Sequence, residues 1–386
     1  MYRRLCKPLL SNSFFLLGAR GTGKSCLVKE LLRDKRLLIV DLLVPELERR
    51  LRRRPSLLVS MIKAEKGVEW VFIDEIQRIP ELLDIVHAQI EGSRIRFALS
   101  GSSARKLKRG AANLLAGRAY SYNLFPLTSM ELGDDFNLSR TLQWGSLPKV
   151  TSIDTDQERA VFLESYAQTY LREEVLAEQL IRKIAPFQAF LEVAAQMNGE
   201  ILNFAKIGRE IGSDSKMVRS YFDLLVDTMI GFYIEGFTTS VRKRVTIAPK
   251  FYFFDLGIKR ALDFSLGESV SESTYGYGKL FETLVLQELY RINSYCRRNY
   301  QFSYIRTQSG VEVDLVLRLG RRELILVEIK STDAVRDDHL RSLLSLGKEL
   351  SATKRYCLSN DPSPRIEDGV RIVPWRMGIE EIMMRK

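Results

Sequence analysis

The chain has 386 residues, 45% hydrophobic and 28% charged, a composition that suits a soluble globular protein of two or three domains and is too long for one hydrophobic core. Four scattered cysteines without any C-x-x-C spacing argue against a zinc site or a disulfide framework. No apolar run is long enough to cross a bilayer, so no membrane association is expected. The formal net charge of +11 points to a polyanionic partner, nucleic acid or an anionic surface, without choosing between them. The opening stretch MYRRLCKPLLSNS has too short an apolar core for a secretory signal, which makes the cytoplasm the expected location.

From the N-terminus, residues 13–17 (SFFLL) read as a buried strand and residues 26–33 (CLVKELLR) as an amphipathic helix. Between them GARGTGKS completes the phosphate-loop pattern G-x-x-x-x-G-K-[ST]. Gly18, Gly21 and Gly23 let backbone N–H groups turn inward onto phosphate oxygens at the positive end of the following helix, with Thr22 in the same cradle. Lys24 should reach the outer phosphates of ATP and Ser25 should ligate Mg²⁺. Residues 37–43 (LLIVDLL) have the continuous apolar character of a strand buried on both faces of a parallel sheet. Five arginines between positions 49 and 54 fit phosphate tracking and a solvated helix face equally well. Residues 70–75 (WVFIDE) then deliver two carboxylates at a strand end, where ligands bind in open α/β sheets. Asp74 would hold Mg²⁺ and Glu75 would orient or deprotonate the attacking water.

The next strand, residues 96–100 (RFALS), runs into Gly101, Ser102 and Ser103, and here the chain resembles the AAA+ ATPases. That resemblance implies a polar residue sensing the γ-phosphate, Ser100 or Ser102. It also implies an arginine, Arg118 with Arg105 competing, acting on a neighbouring subunit's nucleotide in a homo-oligomer. LLAGRAYSYNLFPLTSMEL, WGSLP and ILNFAKIGREIGSDSKMVRSYFDLL together are similar to a large prokaryotic group that joins an AAA-type domain to a C-terminal domain of unknown function. The group shows an aromatic residue followed by two glycines where this chain has Trp144-Gly145-Ser146.

Residues 155–196 read as long helices, and residues 204–226 as a helix-turn-helix closed by Gly212, with Lys216 and Arg219 toward a major groove and Arg242-Lys243-Arg244 in a basic wing. A lid or interaction surface for the ATPase part is the competing reading. Further on, residues 311–319 (VEVDLVLRL) and 324–330 (LILVEIK) alternate with strand period about a Gly-Arg-Arg turn. A hairpin symmetric about Arg321 sets Asp314 opposite Glu328 and projects Lys330 from the same face. Like charges placed so need compensation, which a divalent cation supplies, and Glu282 on an upstream helix offers a third carboxylate. The set resembles the core of the PD-(D/E)xK nucleases, with Val313 in place of the named proline. The resemblance implies Asp314 and Glu328 on Mg²⁺, Glu282 in support and Lys330 on water or the scissile phosphate.

The expected fold is α/β in three parts: a parallel-sheet P-loop ATPase domain over 1–150, a helical and winged-helix middle over 151–260, and a C-terminal α/β endonuclease-like domain over 261–386. The expected activity is ATP hydrolysis coupled to action on nucleic acid, DNA first, with Mg²⁺-dependent cleavage in the last part. An ATP-driven switch that binds a protein partner, with a non-cutting C-terminal module, stays open beside it.

Overall fold

The computed structural model describes residues 2–102, 115, 117–170, 184–238, 247–272, 274–320 and 323–384. The first sheet is built from β1 (Ser13–Leu17), β2 (Leu37–Asp41), β3 (Trp70–Asp74), β4 (Arg96–Gly101) and β5 (Ala119–Asn123), all parallel, in the order β2-β3-β4-β1-β5. Parallel neighbours need crossover connections, and the helices α1 (Lys24–Leu31), α2 (Pro45–Arg53), α3 (Leu57–Ala64) and α4 (Leu82–Gly92) lie in them. β1 and β3 are buried throughout, which is why they read as unbroken apolar runs. β2 departs from expectation. Hydrogen-bonded among the described strands only to β3, it stops at Asp41 and leaves Ile39 at 42% exposure, so it is an edge strand and not one covered on both faces. Arg105 and the basic helix expected around it lie outside the described residues.

The middle of the chain is helical: α5 (Ser129–Leu132), α6 (Leu138–Trp144), α7 (Pro148–Thr151), α8 (Asp156–Ser165) running into a π-turn at Tyr166–Tyr170, and α9 (Ile184–Gln196). α10 (Phe204–Glu210) and α11 (Ser215–Asp227) make the expected helix-turn-helix. Gly212 takes φ 65 in the turn, and Asp214 caps α11 by accepting the Met217 N–H at 2.8 Å. Phe187, Phe190, Tyr221, Phe222 and Phe251 pack edge-to-face beneath it.

The expected basic wing begins on residues outside those described, and its described end belongs to the second sheet. β6 (Gly231–Gly236) and β7 (Lys250–Phe253) pair antiparallel, but β6 also pairs with β8 (Gln301–Arg306), so both strands finish the second sheet. Arg242, Lys243 and Arg244 lie outside the described residues. That mixed sheet has eight strands ordered β12-β13-β11-β10-β9-β8-β6-β7, including β9 (Glu312–Leu319), β10 (Glu323–Ile329), β11 (Lys354–Ser359), β12 (Arg365–Glu367) and β13 (Val370–Pro374). After α12 (Leu256–Leu262), the long helix α13 (Tyr275–Tyr295) and the last helix α15 (Trp375–Met383) share a core with Leu315, Leu317 and Val327. α14 (Asp337–Glu349) covers the opposite face over Val316 and Leu326. The period-two alternation of β9 thus supplies both layers.

α13 also ties the parts together. Arg291, 2% exposed, donates to the Leu127 carbonyl at 3.0 Å, to Ser146 Oγ at 3.1 Å and to the Phe254 carbonyl at 2.7 Å. Glu288 accepts from Ser129 N and Oγ at 2.9 and 2.7 Å. The Trp144-to-Pro148 segment closes against Asp255, which accepts the Ser146 N–H at 2.8 Å. Gly145 has φ 73, and a Cβ there would stand 2.1 Å from Asp255 Oδ1, so only glycine fits. Ser146, the departure noted in the sequence, uses its hydroxyl to accept from Arg291.

Candidate functional site

The strand order β3-β4-β1 brings the chain ends after β1, β3 and β4 side by side, and the phosphate loop, the acid pair and the serines meet there. Gly23 caps α1 with φ 93, a conformation that turns the loop into the helix and that a side chain would strain. Lys24 is 5% exposed and folds back on the loop, donating to the Gly18 and Ala19 carbonyls at 2.8 and 3.2 Å, with Nζ 3.9 Å from Glu75 Oε1. Ser25 Oγ donates to Asp74 Oδ2 at 2.5 Å, while Ser100 donates to the other oxygen of Asp74 and accepts the Glu75 N–H at 3.1 Å. Thr22 is fully buried and braces the turn by donating to the Ala19 carbonyl at 2.9 Å. The oxygens of Ser25 and Asp74 that would share a divalent cation already face one another, so the donor set fits Mg²⁺.

Glu75 sits in the left-handed region with φ 60, and its carboxylate is held by Gln77, a residue the motif reading passed over. Gln77 Nε2 donates to Glu75 Oε2 and to Ser102 Oγ, the latter at 3.0 Å. Its own Oε1 is buried without a partner among the described residues, and flipping the amide would set that oxygen against the carboxylate. Ser100 and Ser102 therefore do different things: one links Asp74 to Glu75, the other joins Gln77 to Glu75. The loop is also gripped from outside. Arg4 donates to the Thr22 carbonyl at 2.9 Å and to Glu131 at 3.0 Å, and Tyr166 donates to the Arg20 carbonyl at 2.8 Å. Arg118 lies at the start of β5, paired with Glu91 and 39% exposed at its side chain.

At the second sheet Glu282, on α13, comes together with Asp314 on β9, Glu328 on β10 and Lys330 just after it. The β9–β10 ladder pairs Leu319 with Glu323 and Leu315 with Val327, the register of a hairpin centred on Arg321, which itself lies outside the described residues. Beyond it Asp314 accepts the Ile329 N–H at 2.8 Å, and Lys330 Nζ donates to Glu328 Oε1 at 2.6 Å. Glu328 Oε2 is buried without a partner among the described residues. Burial and, next, the neighbouring Asp314 push the Glu282 carboxyl up to about 7 and that of Glu328 up to about 8. Burial alone would lower Lys330, but Asp314 and Glu328 outweigh it and hold the ammonium above its ordinary range. Among the described residues no three carboxylate, imidazole or thiol groups already form a metal cage. The charges are offset instead by three ammoniums: Lys330, Lys279 at 3.9 Å from Glu282, and Lys250, which donates to Glu312 at 2.6 Å. Tyr252 adds a hydroxyl to Glu282 at 2.9 Å. Lys250 and Tyr252 were invisible to motif reading because they arrive on β7, far away in sequence.

Lys216 and Arg219 are exposed on α11, and the Arg219 guanidinium lies 5.4 Å from the Phe204 ring centre. No helix among the described residues is long and apolar enough to cross a membrane.

Residues 11–133 match the AAA-domain family, residues 135–270 a domain of unknown function (DUF8612) and residues 277–377 another (DUF4143). An uncharacterized protein of Mycobacterium tuberculosis is 25% identical over 254 residues, covering 65% of this chain and 56% of the relative. One of Methanocaldococcus jannaschii is 22% identical over 305 residues, covering 72% and 66%. The chain thus spans between half and two thirds of the length of these relatives. Among solved structures, the Aeropyrum pernix ORC1 protein in complex with DNA is 12% identical with a TM-score of 0.30, covering 67% of this chain and 87% of that one. The Thermococcus gammatolerans McrB AAA+ hexamers with bound McrC are 15% identical with a TM-score of 0.21, covering 49% and 46%. TM-scores this low do not guide the reading of this chain.

Proposed function

We propose that this chain, whose residues 11–133 match an AAA domain, binds ATP with Mg²⁺, hydrolyses it, and spends the turnover in acting on nucleic acid, DNA first. The observation that carries the reading is the meeting of Lys24, Ser25, Asp74 and Glu75 at one loop mouth, with Ser25 and Asp74 2.5 Å apart and Lys24 3.9 Å from Glu75. Lys24 must leave the Gly18 and Ala19 carbonyls to reach the outer phosphates, a local rearrangement of one flexible side chain. Glu75 accepts the proton of the attacking water, and Gln77 fixes the direction in which its carboxylate points. Bound Mg²⁺ would neutralise phosphate charge, with Ser25 and Asp74 as its protein ligands. Ser100 and Ser102 pass the state of the γ-phosphate to Asp74 and Glu75.

The nucleic-acid part of the reading is supported by the net charge of +11 and the exposed cations of α11. For the last part of the chain we read a phosphodiester-handling site: Asp314 and Glu328 as cation ligands, Glu282 in support, and Lys330 beside the phosphate. The buried, unpartnered Glu328 Oε2 favours an incoming cation there. Limits near 1–150, 151–260 and 261–386 remain our division of the chain, with β6 and β7 counted structurally with the last part.

The test is direct. Lys24→Ala should abolish ATP binding or turnover, and Glu75→Gln should retain binding while stopping turnover. DNA should raise the ATPase rate of the wild type. No rise with DNA or RNA would move the function to a switch for a protein partner, and undiminished turnover in Lys24→Ala would sink the ATPase reading.

A further inference from the structure

Away from both sites, a cavity of about 320 Å³ opens where the N-terminal segment, the outer strand β5 and the end of α13 meet. Its lining carries two cations, Lys7 and Arg297, and no carboxylate. Neither cation makes an ion pair among the described residues; the Arg297 guanidinium lies 4.7 Å from the Tyr122 ring centre. A guanidinium held against a ring by its charge still carries its N–H donors, which can take a phosphate or carboxylate with two parallel bonds. Further donors surround these charges: the hydroxyls of Ser121 and Ser294 and the side-chain amides of Asn123 and Asn299. The cysteine in the wall adds no negative charge, since burial pushes the Cys6 thiol up to about 12.

The floor is fixed in advance. Tyr295 Oη accepts the Phe125 N–H at 3.0 Å and Arg4 Nη2 at 3.3 Å, so the phenol cannot swing in to fill the space. Arg297 and Asn299 hold left-handed backbone conformations, φ 51 and φ 58, that aim consecutive parts of the turn after α13 at the cavity.

We propose that this cavity binds a small phosphate-class anion, independently of the nucleotide loop. Two positive charges without an ion pair among the described residues match the double charge of a phosphate group, and the volume suits pyrophosphate or a phosphorylated metabolite while excluding a duplex. Because Arg4 joins Tyr295 to the Thr22 carbonyl, the occupied cavity lies two side chains from the ATP loop.

The experiment is calorimetric titration of pyrophosphate into the whole 386-residue chain carrying Lys24→Ala, which removes the ammonium of the nucleotide loop and separates this proposal from the ATPase reading. One binding site should remain. Adding Arg297→Asn, chosen because asparagine tolerates the left-handed backbone, should weaken it about tenfold or more, as loss of a charge-assisted bond requires, while Arg297→Lys should retain most of it. Lys7→Ser should weaken it independently. Absence of pyrophosphate binding in the Lys24→Ala chain, or binding unchanged by Arg297→Asn in a protein of unaltered unfolding temperature, overturns the proposal.

Discussion

Gln77 holds Glu75 and Ser102 through one amide nitrogen and leaves its own oxygen buried and unmatched, an arrangement that costs folding free energy and persists where the amide fixes another group. Gln77→Leu keeps the size, removes the grip on the carboxylate and relieves the unpartnered oxygen. Turnover should fall about tenfold or more with ATP affinity nearly unchanged, since a hydrogen bond to a charged group is worth ~1.5–3 kcal/mol. A rise in KM with kcat intact would show that Gln77 serves binding. Lys24, Ser25, Asp74 and Glu75 were legible in the sequence because a glycine pattern and a hydrophobic strand constrain where those side chains can go. Gln77 was not, because its role depends on Glu75 turning through φ 60 and bringing the chain back on itself, which no propensity announces.

The β9–β10 hairpin was readable for a simple reason: alternation fixes both faces, and a turn of known length fixes the register. That is enough to set Asp314 beside Glu328, but the balance of charge there depends on Lys250 from β7 and Lys279 from α13, which no local pattern connects. β2 was misjudged because composition records apolar content and not the number of neighbouring strands. The cluster makes stability depend on pH. With Glu282 raised to about 7 and Glu328 to about 8, the folded chain keeps protons that the unfolded chain has released, from the ordinary carboxylate range up to about 8. Stability contributed here is therefore lost as pH rises through that window. Glu328→Gln should raise the unfolding temperature at about pH 8.5 and flatten its decline between about pH 5.5 and 8.5, as calorimetry would read. Mg²⁺ should do the same for the wild type, and Asp314→Ala should abolish that Mg²⁺ effect; a wild type indifferent to Mg²⁺ would retire the cation site. On α13, Arg291→Met should destabilise by ~3–5 kcal/mol in urea unfolding, because Glu288 and the fully buried Asp255 would lose their shared cation.

Across the whole molecule, the three-part order of the chain was legible from its motifs, while the sharing of one sheet across the expected limit at 260 was not: β6 and β7 complete a sheet whose other members begin at residue 301. At this scale Arg118 is the residue to test. It is half-buried and paired with Glu91 within the same chain, so action on a neighbour's nucleotide requires it to exchange that partner. Mixing Arg118→Ala chains with Lys24→Ala chains should recover part of the ATPase activity through mixed interfaces. A chain that stays monomeric with ATP yet turns over normally would rule the exchange out. Arg4 has a meaning beyond its grip on the loop. Its bond to Tyr295 joins positions 291 residues apart, so during synthesis the parallel sheet can form while the residue that braces its phosphate loop still waits for a partner not yet made. An interrupted chain would emerge with Arg4 and Glu131 brought together but the Tyr295 side of the joint open. The ATP loop would thus receive its full support only once the ribosome has delivered α13.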